Sequence, residues 1–210
     1  MNRSGRRTQV AAWSLAGVTM LGLAAALVLL GLNDGKIAAS RIGLYGVFAA
    51  AVVVYAGTGR LIASRVPGNP IGWLLCLVGL SLAAAMLTEQ YALYGLVTAP
   101  GSLPGGRVAV WLSGVTFVLT FGPIPFLVLL FPDGRVPSRR WRPVLWVMFV
   151  VLAGWIAQQL QAGITISGGI TNALVAAHVG YPNPLGVFPR HGWFSDALGG
   201  SWCSRWSRPC

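Results

Sequence analysis

Long apolar runs alternate along this chain with short segments that hold most of its charges, prolines and turn residues. Ala11 to Leu32 is the first run; Ile42 to Ile62, Ile71 to Tyr94, Val108 to Leu130 and Val144 to Ile164 follow. A helix needs about 20 apolar residues to cross a bilayer core of roughly 30 Å, so each run is long enough to span. The breaks carry turn chemistry: Asn33-Asp34-Gly35-Lys36, then Ser64-Arg65-Val66-Pro67-Gly68-Asn69-Pro70, then the Pro- and Gly-rich loop from Pro100 to Gly106. The last break, Phe131 to Pro143, combines Asp133-Gly134 with three prolines and predicts a tight reversal, Pro143 being tolerated in the first turn of the next helix. The pattern predicts an all-α, polytopic membrane bundle of five transmembrane helices over 11–164. Before it lies an N-terminal tail, 1–10, and after it an irregular tail, 165–210. The run Ile170 to Val179 is too short to cross, and Pro182, Pro184 and Pro189 deny that tail a long helix. A basic start before an apolar run also describes a signal peptide, but the run exceeds the usual h-region of about 7–15 residues. It reads as an uncleaved first span.

Charge placement orients the bundle. With the N-terminus inside, the inner segments hold nine cations: Arg3, Arg6, Arg7, Arg60, Arg65, Arg135, Arg139, Arg140 and Arg142. The outer loops hold three, Lys36, Arg41 and Arg107. Cationic short loops stay on the cytoplasmic side, so the excess predicts a multi-pass cell-membrane protein with N-terminus cytoplasmic and C-terminus outside. The Asp133, Arg135, Arg139, Arg140 loop is its chief topology determinant. Trp13, Trp73 and Trp141 fall at the inner boundary and Tyr91, Tyr94 and Trp111 at the outer one, as interfacial aromatics should.

Composition narrows the class. Of 210 residues, 55% are hydrophobic and 9% charged, with a mean hydropathy of +0.70. A soluble domain carries about 25% charge, which excludes a sizeable one here. The net charge of +11 invites a nucleic-acid reading, yet the cations sit between apolar spans rather than on one aromatic-interleaved patch. They point to topology and anionic lipid, with the bilayer as partner and no nucleic acid. Cys76, Cys203 and Cys210 form no metal-ligand spacing with His178 or His191, so no metal and no cofactor is expected. Ser195-Asp196 near His191 lacks the loop elements of a hydrolase.

Five segments carry a resemblance. They are Pro67-Gly68-Asn69-Pro70-Ile71-Gly72-Trp73-Leu74, Glu89-Gln90-Tyr91-Ala92-Leu93-Tyr94-Gly95, Pro100-Gly101-Ser102-Leu103-Pro104-Gly105, Leu130 to Trp141, and Asn183-Pro184-Leu185-Gly186. In this order and spacing the chain, from about Leu61 to Gly200, resembles the membrane-embedded N-terminal region of actinobacterial two-component sensor histidine kinases. The resemblance implies a sensory input module, which in such proteins precedes a last span, a dimerisation helix and an ATP-binding kinase domain. Here neither histidine is followed by the acidic residue of a phosphoacceptor box, and no Asn-box or Gly-rich ATP lid occurs. The chain by itself is therefore expected not to be an enzyme, and to work with a homodimer mate or a separate kinase or signalling partner. Ser201 to Cys210, with two Trp, two Arg and two Cys, has none of the preceding Ala/Leu/Val texture and reads as out-of-frame or truncated sequence, equally as a genuine short tail. The segment after Thr165 is expected to be poorly packed.

Polar residues inside spans are the functional candidates, because they are expensive there. Glu89, Gln90, Thr116, Gln158 and Gln161 all fall in the outer parts of the third, fourth and fifth spans. Ser113, Thr116 and Thr120 share a helix face. If these faces meet, they form an outward polar pocket for a ligand. The plainer reading has Glu89 snorkelling towards the interface and the amides and hydroxyls bonding between helices or to backbone. Pro123 and Pro125 remove donors and clash with the carbonyls of Leu119 and Phe121, predicting a kink that is either a hinge or a static packing feature. Gly46/Ala50 and Gly79/Ala83 are small-xxx-small pairs that offer a dimer seam. Against the sensor stands a second class, a small transporter or membrane-integral enzyme. Such proteins carry ionisable residues near mid-membrane, and this chain has none there.

Overall fold

A computed structural model describes residues 3–33, 39–131, 133–136 and 138–161. The described chain is all-helical. Helix α1 is Arg3–Leu32, α2 Ala39–Arg65, α3 Pro70–Leu93, α4 Gly106–Phe121, α5 Ile124–Leu130 and α6 Arg142–Gln161. A π-helical turn, Tyr94–Thr98, extends α3, and a 3-10 turn, Arg139–Trp141, leads into α6. Five stretches are long and apolar enough to cross a membrane: Arg6–Leu32, Ile42–Arg65, Pro70–Thr98, Gly106–Leu130 and Arg139–Gln158. This is a multi-pass membrane protein built as a helix bundle. The expected tail 165–210, with the frame question at its end, lies outside the described residues.

Span limits shift from the expected ones for local reasons. The first helix runs back to Arg3, into the segment expected as a tail, because no proline stands between Arg3 and Ala11 and the one glycine, Gly5, is outweighed by the helix it extends. The fourth span is two helices rather than one. Pro123 and Pro125 cannot donate, so α4 closes with the Gly122 amide on Val118 O and α5 restarts with the Leu127 amide on Pro123 O. Asn69 caps α3, its Oδ1 accepting from the Ile71 amide at 3.0 Å, with Pro70 at the first helical position where a missing donor costs nothing.

Helix α3 is the axis of the bundle, packed against α1, α2 and α4. Its contact with α2 is nearly backbone to backbone. A Cβ placed on Gly72 would come within 2.6 Å of the Ala63 amide nitrogen, and one on Gly59 within 2.6 Å of the Cys76 nitrogen. One on Gly79 would meet the Ala56 nitrogen at 3.0 Å. Small residues let membrane helices approach until dispersion between backbones replaces the missing hydrophobic drive. Gly79 and Ala83, offered by the sequence as a dimer seam, are thus used within the chain: Gly79 on α2, and Ala83 facing Gly22 of α1. Gly46 has open space around it.

Helix α6 packs more lightly. Leu152 fills the notch left by Gly122, and the Phe149 and Phe126 rings sit 4.8 Å apart between centroids. Trp146, Val147, Val150 and Val151 remain exposed, as do Val18 and Leu21 on α1 and Val53 and Val54 on α2. Lipid tails suit such faces, which water would not.

Candidate functional site

Asn33, Gln90 and Thr98 meet at the end of α3 that lies away from the arginine hairpin. Asn33 closes α1, its amide nitrogen still bonded to Leu29 O, and its side chain is completely buried. Its Nδ2 donates to both Gln90 O and Gln90 Oε1 at 3.0 Å, and Thr98 Oγ1 donates to Asn33 Oδ1 at 2.6 Å. One carboxamide thereby joins the end of α1 to the end of α3 and to the π-helical turn that extends it. The π-helical turn takes part: the Ala99 amide reaches back to Tyr94 O, five residues away, and Thr98 stands at the end of that widened turn. Gln90 is fully buried, and its Nε2 has no hydrogen-bond partner among the described residues. A buried donor without an acceptor costs about 1–3 kcal/mol, so an oxygen brought to Nε2 would be bound favourably. Glu89 and Tyr45 are buried at the same end.

The adjoining loop folds down over this cluster. Tyr91 Oη donates to Pro104 O at 2.7 Å, and the Gly101 amide donates to Gly95 O at 3.1 Å. Gly101 and Gly105 take φ of +83° and +74°, a region open to glycine at no steric cost, which lets the loop reverse into α4. The segments around Glu89 and around Pro100 that carried the resemblance are therefore in contact.

The other two resembling segments that lie within the described residues meet at the opposite end. Gly134, at φ +70°, ends α5 by donating its amide to Leu130 O at 2.7 Å. A Cβ there would come within 2.5 Å of both Asn69 Oδ1 and Pro70 Cδ. The hairpin is therefore seated directly on the cap of α3. Asp133, Arg135, Arg139 and Arg140 are exposed at this end. Across it, the Arg60 guanidinium lies 3.8 Å from the Trp13 ring centroid, pinning α2 to α1.

Of the sequence-derived candidates, Gln90 is in the cluster and Glu89 is buried at the same end of α3. Thr116 is buried, but its hydroxyl is occupied by Leu112 O and Ser113 O of its own helix, at 2.9 and 3.0 Å. Ser113 and Thr120 bond backwards in the same way, to Val110 O and Thr116 O. Gln158 is exposed, and the side chain of Gln161 lies outside the described set. Pro123 and Pro125 sit at the α4–α5 break, with Pro123 buried. Asn33 and Thr98 belong to the cluster without having been singled out: Asn33 reads as a turn residue, and a span's last threonine carries no signal of its own. No group of three His, Cys, Asp or Glu able to hold a metal occurs among the described residues.

No family model matches the chain, and neither a curated protein nor a solved structure does.

Proposed function

We propose that this protein is a membrane-embedded sensory input module, similar to the N-terminal region of two-component sensor histidine kinases, with no catalytic activity of its own. The observation that carries the reading is the double engagement of α3. One end holds a buried amide cluster in which the Gln90 Nε2 has no hydrogen-bond partner among the described residues, and the other end seats the arginine hairpin through Gly134. An element packed along its length against three helices moves as a rigid unit, so a ligand oxygen at Gln90 would be felt at the hairpin. The transporter reading is less well supported, because the charged residues described within the spans stand near helix ends.

Transmission is testable without knowing the ligand. Gln90→Leu is expected to change the hydrogen-exchange rate of the Gly134 amide, which bonds Leu130 O at the hairpin seat, several-fold. An unchanged rate would remove the coupling on which the sensor reading rests. Purified protein given labelled ATP is expected to take up no phosphate, and incorporation would contradict the non-catalytic reading.

The same reading puts the arginine hairpin in the cytoplasm, with the Asn33–Gln90 cluster and the C-terminus facing out. In a Cys203→Ser, Cys210→Ser background, an impermeant thiol reagent on intact cells should label Ser102→Cys and leave Ser138→Cys unlabelled. The reverse pattern would invert the topology.

A further inference from the structure

The hairpin's positive charge is unpartnered and held in place. Arg135, Arg139, Arg140 and Arg142 are all exposed, within eight residues, and none makes an ion pair among the described residues. Asp133, the one acidic residue of the hairpin, is exposed as well and bonds to none of them. Trp141 stands beside them, 47% exposed, at the foot of α6, where an indole suits the headgroup level. Floppy basic tails attract anionic surfaces diffusely. This segment differs because Gly134 holds its base against Asn69 and Pro70, and the 3-10 turn Arg139–Trp141 joins it directly to α6. Guanidiniums anchored at both ends lose less freedom on binding, and their planar forks suit phosphate oxygens. From this unpaired, tethered cluster at the membrane boundary we infer that the hairpin is a preformed seat for the phosphate of an anionic phospholipid.

The occupant follows from position. The cluster lies where two membrane-spanning helices end, so a lipid phosphate reaches it by lateral diffusion, with acyl chains against the exposed face of α6 formed by Trp146, Val147 and Val150. A soluble phosphate would gain only the guanidiniums. The inference needs no sensor role; it rests on the membrane-spanning fold, the charge and the seating of Gly134 against Asn69 and Pro70.

The test is native mass spectrometry of the full chain from mixed micelles holding phosphatidylglycerol and phosphatidylcholine in equal amounts. Wild type should retain the anionic lipid preferentially. R139Q/R140Q removes two of the planar forks that would hold the phosphate and should lower the preference about tenfold or more. R6Q/R7Q, which removes two exposed charges on α1, should change it much less; an equal loss would make the effect general surface charge and overturn the seat. G134A keeps every charge but drives a methyl into Asn69 and Pro70, and should also lose most of the preference. Retention of wild-type preference by G134A, with helicity intact by circular dichroism, would overturn the preformed geometry. Millimolar inorganic phosphate should not displace the lipid; displacement would mark the site as one for a soluble anion and defeat the proposal.

Discussion

Gly72→Val is expected to be among the most damaging substitutions in this protein. The α2–α3 seam leaves no room at that position: a Cβ would lie 2.6 Å from the Ala63 nitrogen and 3.1 Å from its Cα. Those are backbone atoms of a neighbouring helix and cannot rotate aside as a side-chain tip can. Relief requires α2 and α3 to separate, which opens the tight contacts at Gly59 and Gly79 as well. Overpacking of this kind costs about 1–3 kcal/mol, and the rigidity of the seam argues for the upper end. Gly57→Val supplies the comparison. It lies on α2, the other helix of the seam, with nothing within 4 Å of its Cβ position, so it should be near neutral. Thermal unfolding of both variants in the same detergent measures the difference. Equal melting temperatures would mean that the seam does not hold the bundle together.

Asn33→Leu should be the next most costly, and more so than Gln90→Leu although the two side chains touch. Removing the Asn33 amide takes away three hydrogen bonds and leaves Gln90 O, Gln90 Oε1 and the Thr98 hydroxyl short of a partner. Interhelical hydrogen bonds in membranes average about 0.6 kcal/mol, so three amount to about 2 kcal/mol. At Gln90 the leucine also removes the donor that has no acceptor, and Asn33 Nδ2 keeps the backbone oxygen of residue 90. That loss should stay below about 1 kcal/mol. Urea or thermal unfolding in mixed micelles would rank them. Gln90→Leu proving the costlier would show that the Gln90 side chain, not Asn33, organises the cluster.

The packing arrangement and the polar cluster bear on each other. A transmitting helix must be stiff along its length and responsive at its ends. The glycine seam with α2 supplies the first, since backbone-to-backbone contact leaves no compliant side chains between the two helices. The ends supply the second. At one, a threonine on a π-helical turn and a buried carboxamide hold the cluster; at the other, a glycine in left-handed geometry rests on a helix cap.

Much of this architecture is decided one span at a time, and so is readable from the residues alone. In lipid, each backbone amide must be satisfied within its own segment, so an apolar run of sufficient length has little choice but to become a helix. The five spans, the reversal at Asp133-Gly134 and the break at Pro123 and Pro125 all follow from such local rules. So do the back-bonded hydroxyls of Ser113, Thr116 and Thr120, which find their acceptors one turn earlier in the same helix. Pairing between helices is another matter. Asn33 meets Gln90 across 57 residues and Thr98 across 65, and nothing local distinguishes Asn33 from an ordinary turn asparagine. Gly79 and Ala83 satisfy a dimer motif as well as they satisfy an intrachain seam; only packing against Ala56 and Gly22 decides between them. Gly134 reads as a turn glycine, and its second role, clearance for Asn69 and Pro70, exists only once α3 and the hairpin are side by side. Local satisfaction of the backbone determines the helices, while the choice of which small and polar surfaces face one another is a property of the assembled bundle.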